Sequence, residues 1–287
     1  MSCSTRSTPG PPSTEGQAVA QGAELDNGWL HLRVDEKSGA IVELTARGLD
    51  GNLADTRDGQ ALNDYLFLPG DDLKQIARNG PVTITVKEHG PLVASLLIES
   101  DAPGCRKLSR ELRLTAGLDH VELINTVDKR RAAIPAQAGD WKFAQKGGKE
   151  SVNFAFPFLV PDGVMTLDIP LGWMQPETDQ MQSACKNWFT VGRWIDISNR
   201  DRGVTWVTLD APLVQLGGIT ATLLGSQNNP DIWRKKVDQT QKGYSWAMNN
   251  HWGTNYQAYQ EGPTVFRYVL RPHRASDPAE FSRHCYV

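Results

Sequence analysis

The stretch "KLSRELRLTAGLDHVELINTVD", residues 107–128, alternates apolar and polar side chains on both sides of a glycine. Its apolar positions are Leu108, Leu112, Leu114, Val121, Leu123 and Val127. Successive side chains of a β-strand point to opposite faces, so this period of two predicts two strands that each bury one face. Because Gly117 interrupts the pattern where a turn is needed, the stretch predicts an antiparallel hairpin.

The same pattern recurs toward the N-terminus. Residues 29–44, "WLHLRVDEKSGAIVEL", and residues 82–100, "VTITVKEHGPLVASLLIES", each hold two apolar runs separated by a turn signal. Helical signals are confined to short pieces near 71–78 and 277–284. Period two sustained over successive hairpins is typical of antiparallel sheets with one wet face. We therefore predict an all-β fold, a large antiparallel super-sandwich that forms one domain over residues 23–287.

The first 22 residues have a different composition. "MSCSTRSTPGPPSTEGQAVAQG" is rich in Ser, Thr, Pro and Gly and almost free of large apolar side chains. Such a segment buries too little apolar surface to offset the entropy of ordering, so residues 1–22 are predicted to be a disordered tail. Cys3 ahead of a Ser/Pro-rich tether is also typical of a processed lipoprotein, which would place the protein in the cell envelope or periplasm. An ordinary flexible terminus of a cytoplasmic protein is the alternative.

Composition excludes several classes of function. The 287 residues carry a net charge of -3, which gives no electrostatic basis for binding nucleic acid. No apolar run reaches the roughly 18 residues that a membrane span needs. The four cysteines are Cys3, Cys105, Cys185 and Cys285. Their wide spacing, with no histidine at ligand distance, argues against a zinc site and favours free structural thiols.

The stretch "YSWAMNNHWGTNYQAYQEG", residues 244–262, interleaves aromatic rings with amides and ends in a carboxylate. Sugars present apolar C–H faces to aromatic rings and hydroxyls to amides and carboxylates, so this mixture is typical of a saccharide site. The predicted substrate-binding residues are Asn249, Asn250, His251, Trp252, Asn255, Tyr256, Gln260 and Glu261. Trp252 lies outside any alternating pattern and is expected on a loop surface. The alternative is a loop that hydrogen-bonds to itself over the sandwich edge.

Other segments carry weaker signals. In "NWFTVGRWIDIS", residues 187–198, most positions are typical of a core strand, and Arg193 with Asp196 is interpreted as a possible surface ion pair. Asp210, before Ala-Pro, is more typical of a turn than of an acid catalyst. Nucleophile-elbow, P-loop and dinucleotide-binding motifs are absent. The residues alone define no catalytic constellation.

Five segments together resemble a known family. They are "VKEHGPLVASLLIES", "KLSRELRLTAGLDHVELINTVDK", "VNFAFPF", "KNWFTVGRWIDISNRDRGVTWVTLDAPLVQLG" and "YSWAMNNHWGTNYQAYQEGPTVFRYVLRPH". In this order they resemble the C-terminal part of bacterial α-mannosidase-like enzymes of glycoside hydrolase family 38, over about residues 24–287. The resemblance implies a β super-sandwich of the galactose-mutarotase type and a glycan, mannose-containing or related, as ligand.

The departure from the family pattern concerns catalysis. In the family, a preceding α/β barrel supplies an Asp nucleophile and a zinc site built on an H-x-D motif. No histidine here is followed two residues later by aspartate. The resemblance therefore gives this chain no catalytic residue, no metal ligand and no cofactor, and zinc is expected only in a catalytic module that this chain lacks. Loops of the sandwich help to line the family's sugar pocket, which favours the 244–262 stretch as a sugar-facing or barrel-facing loop.

Three functions fit the sequence, and they leave open whether the chain is itself an enzyme. The first is a carbohydrate-binding, α-mannosidase-like domain that acts in glycan hydrolysis and whose partner is a separate catalytic barrel. The second is an autonomous hydrolase or mutarotase-like epimerase with its own acid and base, for which His251 with Glu261 or Asp210 are the candidates. The third is a protein-interaction domain, because exposed Trp and Tyr side chains also suit a protein interface.

Overall fold

The structure is a computed structural model in which nearly all of the regular structure is β-strand. It describes residues 17–70, 72–131, 150–181, 184, 186, 188–217, 242–250 and 260–274. The first ten strands are β1 (Val19–Gln21), β2 (Glu24–Asp26), β3 (Leu30–Val34), β4 (Ile41–Ala46), β5 (Asp64–Pro69), β6 (Ala77–Arg78), β7 (Val82–His89), β8 (Val93–Ser100), β9 (Cys105–Thr115) and β10 (Val121–Lys129). The other nine are β11 (Glu150–Pro157), β12 (Val164–Ile169), β13 (Gly172–Met174), β14 (Trp188–Thr190), β15 (Trp194–Ser198), β16 (Gly203–Thr208), β17 (Leu213–Leu216), β18 (Lys242–Asn249) and β19 (Gly262–His273). One 3-10 turn, Leu73–Gln75, is the only helical element in these ranges.

The strands form three antiparallel sheets. The nine-stranded sheet has the order β13-β12-β15-β16-β19-β10-β9-β8-β7, and the six-stranded sheet has the order β14-β17-β18-β11-β5-β6. The strands β1 to β4 form a separate four-stranded meander. One continuous buried cluster contains apolar side chains from all three sheets. The predicted all-β antiparallel sandwich is confirmed.

The hairpin of residues 107–128 lies in the middle of the nine-stranded sheet. Strands β9 and β10 pair with Leu112 opposite Leu123 and Leu114 opposite Val121. All six apolar positions of the alternating pattern are fully buried, as period two predicts for a sheet with one face on the core. The strand β19 pairs with the other side of β10, so the hairpin fixes the centre of the sheet.

The core between the two large sheets is aromatic. Phe156 on β11 stacks on Trp206 of β16 with ring centroids 4.3 Å apart, and Tyr268 of β19 packs against both. Gly243 on β18 makes room for this packing, because a Cβ atom at that position would lie 2.6 Å from the Trp206 ring. Aromatic groups of this size contribute much of the burial energy of a sandwich core.

Polar side chains also cross the core. Asn63, which precedes β5, and Asn125 on β10 exchange two amide hydrogen bonds, of 3.0 and 2.6 Å. The fully buried Arg110 on β9 donates to the backbone carbonyls of Asn63 and Ser38. Buried polar groups are tolerated when they are hydrogen-bonded, and here these bonds connect the six-stranded sheet and the meander to the nine-stranded sheet.

The prediction of a disordered tail over residues 1–22 is wrong for its last part. Val19–Gln21 forms strand β1 and pairs with β2, and Ala18 is fully buried. The Ala18 amide donates to the Pro91 carbonyl at 2.9 Å. This segment is stabilised by backbone pairing with β2 and by the contact with Pro91, in the turn between β7 and β8. The composition of the segment did not indicate either partner. Residues 1–16 lie outside the described residues.

Candidate functional site

The outer face of the six-stranded sheet concentrates the groups that a saccharide site needs. Along β11, Phe154 and Phe156 point into the core, so Asn153 and Ala155 point to the opposite side. The outer face, defined by alternation and register, consists of Asp64, Leu66, Arg78, Asn153, Ala155, Trp188, Gln215, Tyr244 and Trp246. None of these side chains belongs to the main core cluster, but all of them except Trp188 and Arg78 are buried.

The register arranges these residues in two transverse rows. One row runs across five strands and contains Trp188, Gln215, Tyr244, Ala155 and Asp64. The neighbouring row contains Trp246, Asn153, Leu66 and Arg78. Aromatic side chains therefore lie toward the β14 edge, charged side chains lie toward the β6 edge, and amides lie between them.

The aromatic half of the face pairs flat rings with amides. Trp188 and Trp246 are close to parallel, with ring centroids 6.3 Å apart and planes 28° apart. Gln215 Nε2 donates to Asn153 Oδ1 at 3.2 Å, and Asn153 Nδ2 donates to Ser151 Oγ at 3.0 Å. The half-buried Trp188 keeps an indole N–H that is shielded from solvent and has no hydrogen-bond partner. Flat rings beside oriented amides are suited to the C–H face and the hydroxyls of a sugar.

The charged half of the face contains a buried carboxylate. Asp64 is 1% exposed and lies 3.4 Å from Arg78 Nη2, while neither of its oxygens accepts a hydrogen bond of ordinary geometry. Burial raises the pKa of Asp64 to about 6, although the guanidinium charges of Arg78 and Arg110 act against this rise. Tyr244 Oη donates to Gln60 Oε1 at 2.7 Å nearby. The carboxylate is closed to solvent, and the Tyr65 backbone N–H acts on the pKa of Asp64 in the same direction as the two guanidinium groups.

The predicted binding residues lie at the ends of β18 and β19, and the structure describes only four of them. Asn249 is the last residue of β18. Asn250 is buried, and its amide oxygen accepts from the Glu150 backbone N–H at 2.6 Å. Gln260 Nε2 donates to Thr264 Oγ1, and the Glu261 carboxylate lies 3.8 Å from an Arg131 nitrogen. His251, Trp252, Asn255 and Tyr256 lie outside the described residues.

Asp210, a candidate acid of the autonomous-enzyme reading, is held in an ion pair. Its two carboxylate oxygens accept from Arg267 Nε and Nη2 at 2.8 and 2.9 Å, in a bidentate arrangement. The hydrogen bonds from Arg267 lower the pKa of Asp210, so the carboxylate stays ionised at neutral pH. A general acid needs a raised pKa, so this environment does not suit Asp210 to that role.

The outer face of the nine-stranded sheet holds a buried ionic cluster that sequence reasoning missed. His273 Nε2 lies 2.7 Å from Asp196 Oδ1, which also accepts from Thr205 Oγ1 at 2.9 Å. Asp196 is 1% exposed, so its interpretation as part of a surface ion pair with Arg193 is wrong. The two partners lie 77 residues apart and meet only through the pairing of β15, β16 and β19, so no local sequence signal indicates them.

Elsewhere in the described structure, a cavity lacks the aromatic side chains that are suited to a saccharide. A cavity of about 750 Å³ lies among loops near Asp50, Asp162, Arg202 and Arg274, and no aromatic side chain lines it. Within the ranges that the structure describes, no group of three or more His, Cys, Asp or Glu side chains is arranged to hold a metal ion. The same ranges contain no helix with the length and hydrophobicity needed to cross a membrane.

Comparison with known proteins adds the following. A family model of the glycosyl hydrolases family 38 C-terminal domain matches residues 25–211. An alpha-mannosidase from Enterococcus faecalis V583 superposes with a TM-score of 0.62 at 11% identity, covering 95% of this chain and 32% of that chain. A protein in the glycosyl hydrolase family 38 from Enterococcus faecalis gives the same TM-score and identity and covers 95% and 33%.

A galactose mutarotase-like protein from Lactobacillus casei ATCC 334 is also similar, with a TM-score of 0.49 at 8% identity, covering 87% of this chain and 99% of that chain. No curated protein matches the chain by sequence. The chain spans about a third of the length of the alpha-mannosidase with which it superposes.

Proposed function

This chain belongs to the family of the glycosyl hydrolases family 38 C-terminal domain, and we propose that it is a carbohydrate-binding domain of the α-mannosidase type. The resemblance found in its sequence motifs is confirmed over residues 25–211. In our proposal the domain acts in glycan hydrolysis beside a catalytic module outside this sequence, and its ligand is a mannose-containing or related glycan. Any zinc belongs to that module.

The outer face of the six-stranded sheet carries this proposal. The half-buried Trp188 ring lies 28° from parallel to the buried Trp246 ring, and the buried Asn153 and Gln215 hold oriented amides beside them, so in our proposal a sugar contacts this group at Trp188. A sugar has the same two characters, apolar C–H groups on its faces and hydroxyls at its rim. Asn249 ends β18, the strand that carries Trp246, and Asn250 follows it; in our proposal these two predicted binding residues extend the same site.

The test is saccharide binding by the full chain. Isothermal titration or NMR shift mapping with methyl α-mannoside and α-linked mannobioses should show saturable binding. Trp188→Ala should weaken it about 10-fold, because truncating a central aromatic anchor removes more than about 1 kcal/mol. Trp173→Ala is the matched control, since Trp173 is 59% exposed on β13 of the other large sheet. Equal losses in the two variants, or no saturable binding to wild type, would refute the proposal.

A second measurement separates the binding domain from an autonomous enzyme. Purified full chain should not hydrolyse aryl α-mannosides, with or without added zinc, because the described carboxylates Asp210 and Glu261 have arginine neighbours and H-x-D is absent from the sequence. Turnover that survives purification and disappears in Asp210→Asn or Glu261→Gln would establish the autonomous enzyme instead.

A further inference from the structure

Four exposed apolar side chains lie at one end of the nine-stranded sheet and the meander. They are Val19, Trp29, Leu92 and Leu118, which are 46%, 36%, 61% and 41% exposed. Val19 begins β1, and the other three lie in the turns between β2 and β3, β7 and β8, and β9 and β10. Large apolar side chains scattered singly over a surface are ordinary, whereas a contiguous group of them marks an interaction site.

Backbone contacts place Val19 beside the turn between β7 and β8. The Ala18 amide, one residue before Val19, donates to the Pro91 carbonyl at 2.9 Å. Gly90 allows this close approach, because a Cβ atom at that position would lie 1.9 Å from the Ala18 carbonyl oxygen. The start of β1 and this turn therefore form one rigid surface.

Further hydrogen bonds join the three turns to one another. The Ala116 amide donates to the Leu92 carbonyl at 2.8 Å, which links the second turn to the third. The fully buried Asn27 links the third turn to the first, because its Nδ2 donates to the Leu118 carbonyl at 2.8 Å and its Oδ1 accepts from the Trp29 amide at 3.0 Å. The four apolar side chains thus belong to one surface, which we call the apolar end.

The tips of the three turns carry no polar side chain. They consist of residues 28–29, 90–92 and 117–118, whose sequences are Gly-Trp, Gly-Pro-Leu and Gly-Leu. Exposed turns more often carry Asn, Asp or Ser beside Gly and Pro. These tips offer no side-chain hydrogen bond to the hydroxyls of a saccharide, so the surface suits an apolar partner.

The area of the apolar end indicates the strength of the contact. At these exposures the four side chains present on the order of 350 Å² of apolar surface, which is within the range of functional patches. Two such surfaces and their polar rims together bury about 1,200 Å², which is the lower limit of specific interfaces and the size of weak, reversible complexes. Because hydrogen bonds already hold the turns in place, little ordering entropy is lost on contact.

The charges at the rim suit a second copy of the chain. The exposed Arg47 guanidinium lies over the Trp29 ring, 5.5 Å from its centroid. The Asp26 carboxylate, 53% exposed, lies three residues before Trp29. A rim with both signs of charge avoids repulsion between two copies. Lipid-binding surfaces instead carry clusters of Lys and Arg, so this rim does not favour a membrane.

We propose that the apolar end is the contact surface of a weak homodimer, in which two copies of this chain pack these four side chains against one another. A twofold contact uses the same surface on both copies, so each copy supplies the apolar partner that the other needs. The expected dissociation constant is about 10–100 μM. The apolar end is separate from the outer face of the six-stranded sheet, so the dimer does not depend on saccharide binding.

The test is analytical ultracentrifugation of the full chain from about 5 to about 500 μM, a range that brackets the expected constant. The weight-average mass should rise from the monomer value of 31.7 kDa toward twice that value. The double variant Leu92→Ser, Leu118→Ser should weaken the dimer at least about 10-fold, because it truncates two anchors of the contact. Leu171→Ser is the matched control and should leave the dimer unchanged. Leu171 is fully exposed between β12 and β13, at the opposite edge of the sheet.

Each other outcome refutes the dimer. A wild-type chain that stays monomeric over the whole concentration range excludes it. A dimer that Leu171→Ser weakens as much as the double variant does is held by another surface. A monomeric chain that binds phosphatidylcholine vesicles through Leu92 and Leu118 would assign the apolar end to lipid instead. If the double variant melts below wild type, Leu92→Ser alone decides, since Leu92 is the most exposed of the four.

Discussion

Replacing His273 by glutamine is expected to destabilise the protein by about 3 kcal/mol near pH 6, because it breaks a buried ion pair. His273 is 7% exposed, and both of its ring nitrogens face acceptors: Nε2 faces Asp196 Oδ1 at 2.7 Å and Nδ1 faces the Arg274 carbonyl at 2.6 Å. A carbonyl oxygen cannot donate, and an ionised carboxylate cannot either. Protons on both nitrogens satisfy both acceptors, so this geometry favours the imidazolium form of His273.

The electrostatics agree with this protonation state. Burial acts against the charged imidazolium, but the hydrogen bond and negative charge of Asp196, with the Arg274 carbonyl, outweigh it and raise the pKa of His273 above 6.5. A histidine whose pKa is raised on folding contributes stability that is complete below its unfolded pKa. That contribution is lost as pH rises through the folded pKa. The stability gap between wild type and His273→Gln should therefore narrow above pH 6.5.

The assay is thermal and urea unfolding at a series of pH values from about 6 to about 9. A loss of 3 kcal/mol corresponds to roughly 6–12 °C in melting temperature, at about 2–4 °C per kcal/mol for a large domain. His31→Gln is the control, since His31 is about a third exposed and 3.4 Å from Asp26, and its effect should stay within about 0.5 kcal/mol. A gap between wild type and His273→Gln that does not change over this pH range would refute the imidazolium assignment.

Three further predictions concern the rest of the fold. Removing residues 1–16 should leave the melting temperature unchanged, whereas removing residues 1–22 should lower it by several degrees, because only the second deletion removes β1. Equal effects of the two deletions would contradict the pairing of β1 with β2. Gly243→Ala should cost about 1–3 kcal/mol in urea unfolding, since the new Cβ lies 2.6 Å from the Trp206 ring, and a neutral result would mean that the ring has room to move. Asp64→Asn should gain stability relative to wild type by up to about 3 kcal/mol as pH rises from 3.8 to about 6, because over this range the carboxyl of unfolded wild type ionises while the buried one in the folded protein holds its proton. A gain that is flat with pH would contradict the raised pKa.

The sheet architecture was predictable because its signal is local. Alternation of Leu112 and Leu114 with polar neighbours requires no knowledge of the partner strand, and both side chains point inward as predicted. The polar groups inside the core were not predictable. Alternation places Asn125 on the core face between Leu123 and Val127, but its hydrogen-bond partner Asn63 lies 62 residues away and no local signal indicates it. Strand β1 was also not predicted, because it is stabilised by pairing with β2 and not by apolar side chains of its own.

The candidate face could be found only in part from sequence. The 244–262 stretch indicated aromatic and amide chemistry, and β18, which overlaps its first residues, carries Tyr244 and Trp246 on the outer face. The residues that complete the face, such as Gln215 and Asp64, come from strands far away in the chain. Asp64 lies in "NDYLFLP", where four buried residues follow it and hide which side it faces. Only the register with Ala155 places it in the same row as Tyr244, two strands away.

Two buried carboxylates in this domain lead to opposite predictions for stability. Asp196 is 1% exposed but accepts from Thr205 and pairs with the His273 imidazolium, so its burial is compensated within the fold. Asp64 is equally buried, and the Arg78 and Arg110 guanidinium charges and the Tyr65 backbone N–H compensate its charge only in part, because burial still raises its pKa to about 6. Asp196→Asn should consequently lower the melting temperature, because it leaves a buried cation without its partner. Asp64→Asn should raise the melting temperature near neutral pH, because it removes a buried charge. If both variants lost stability alike, the charge of Asp64 would be compensated within the fold as fully as that of Asp196.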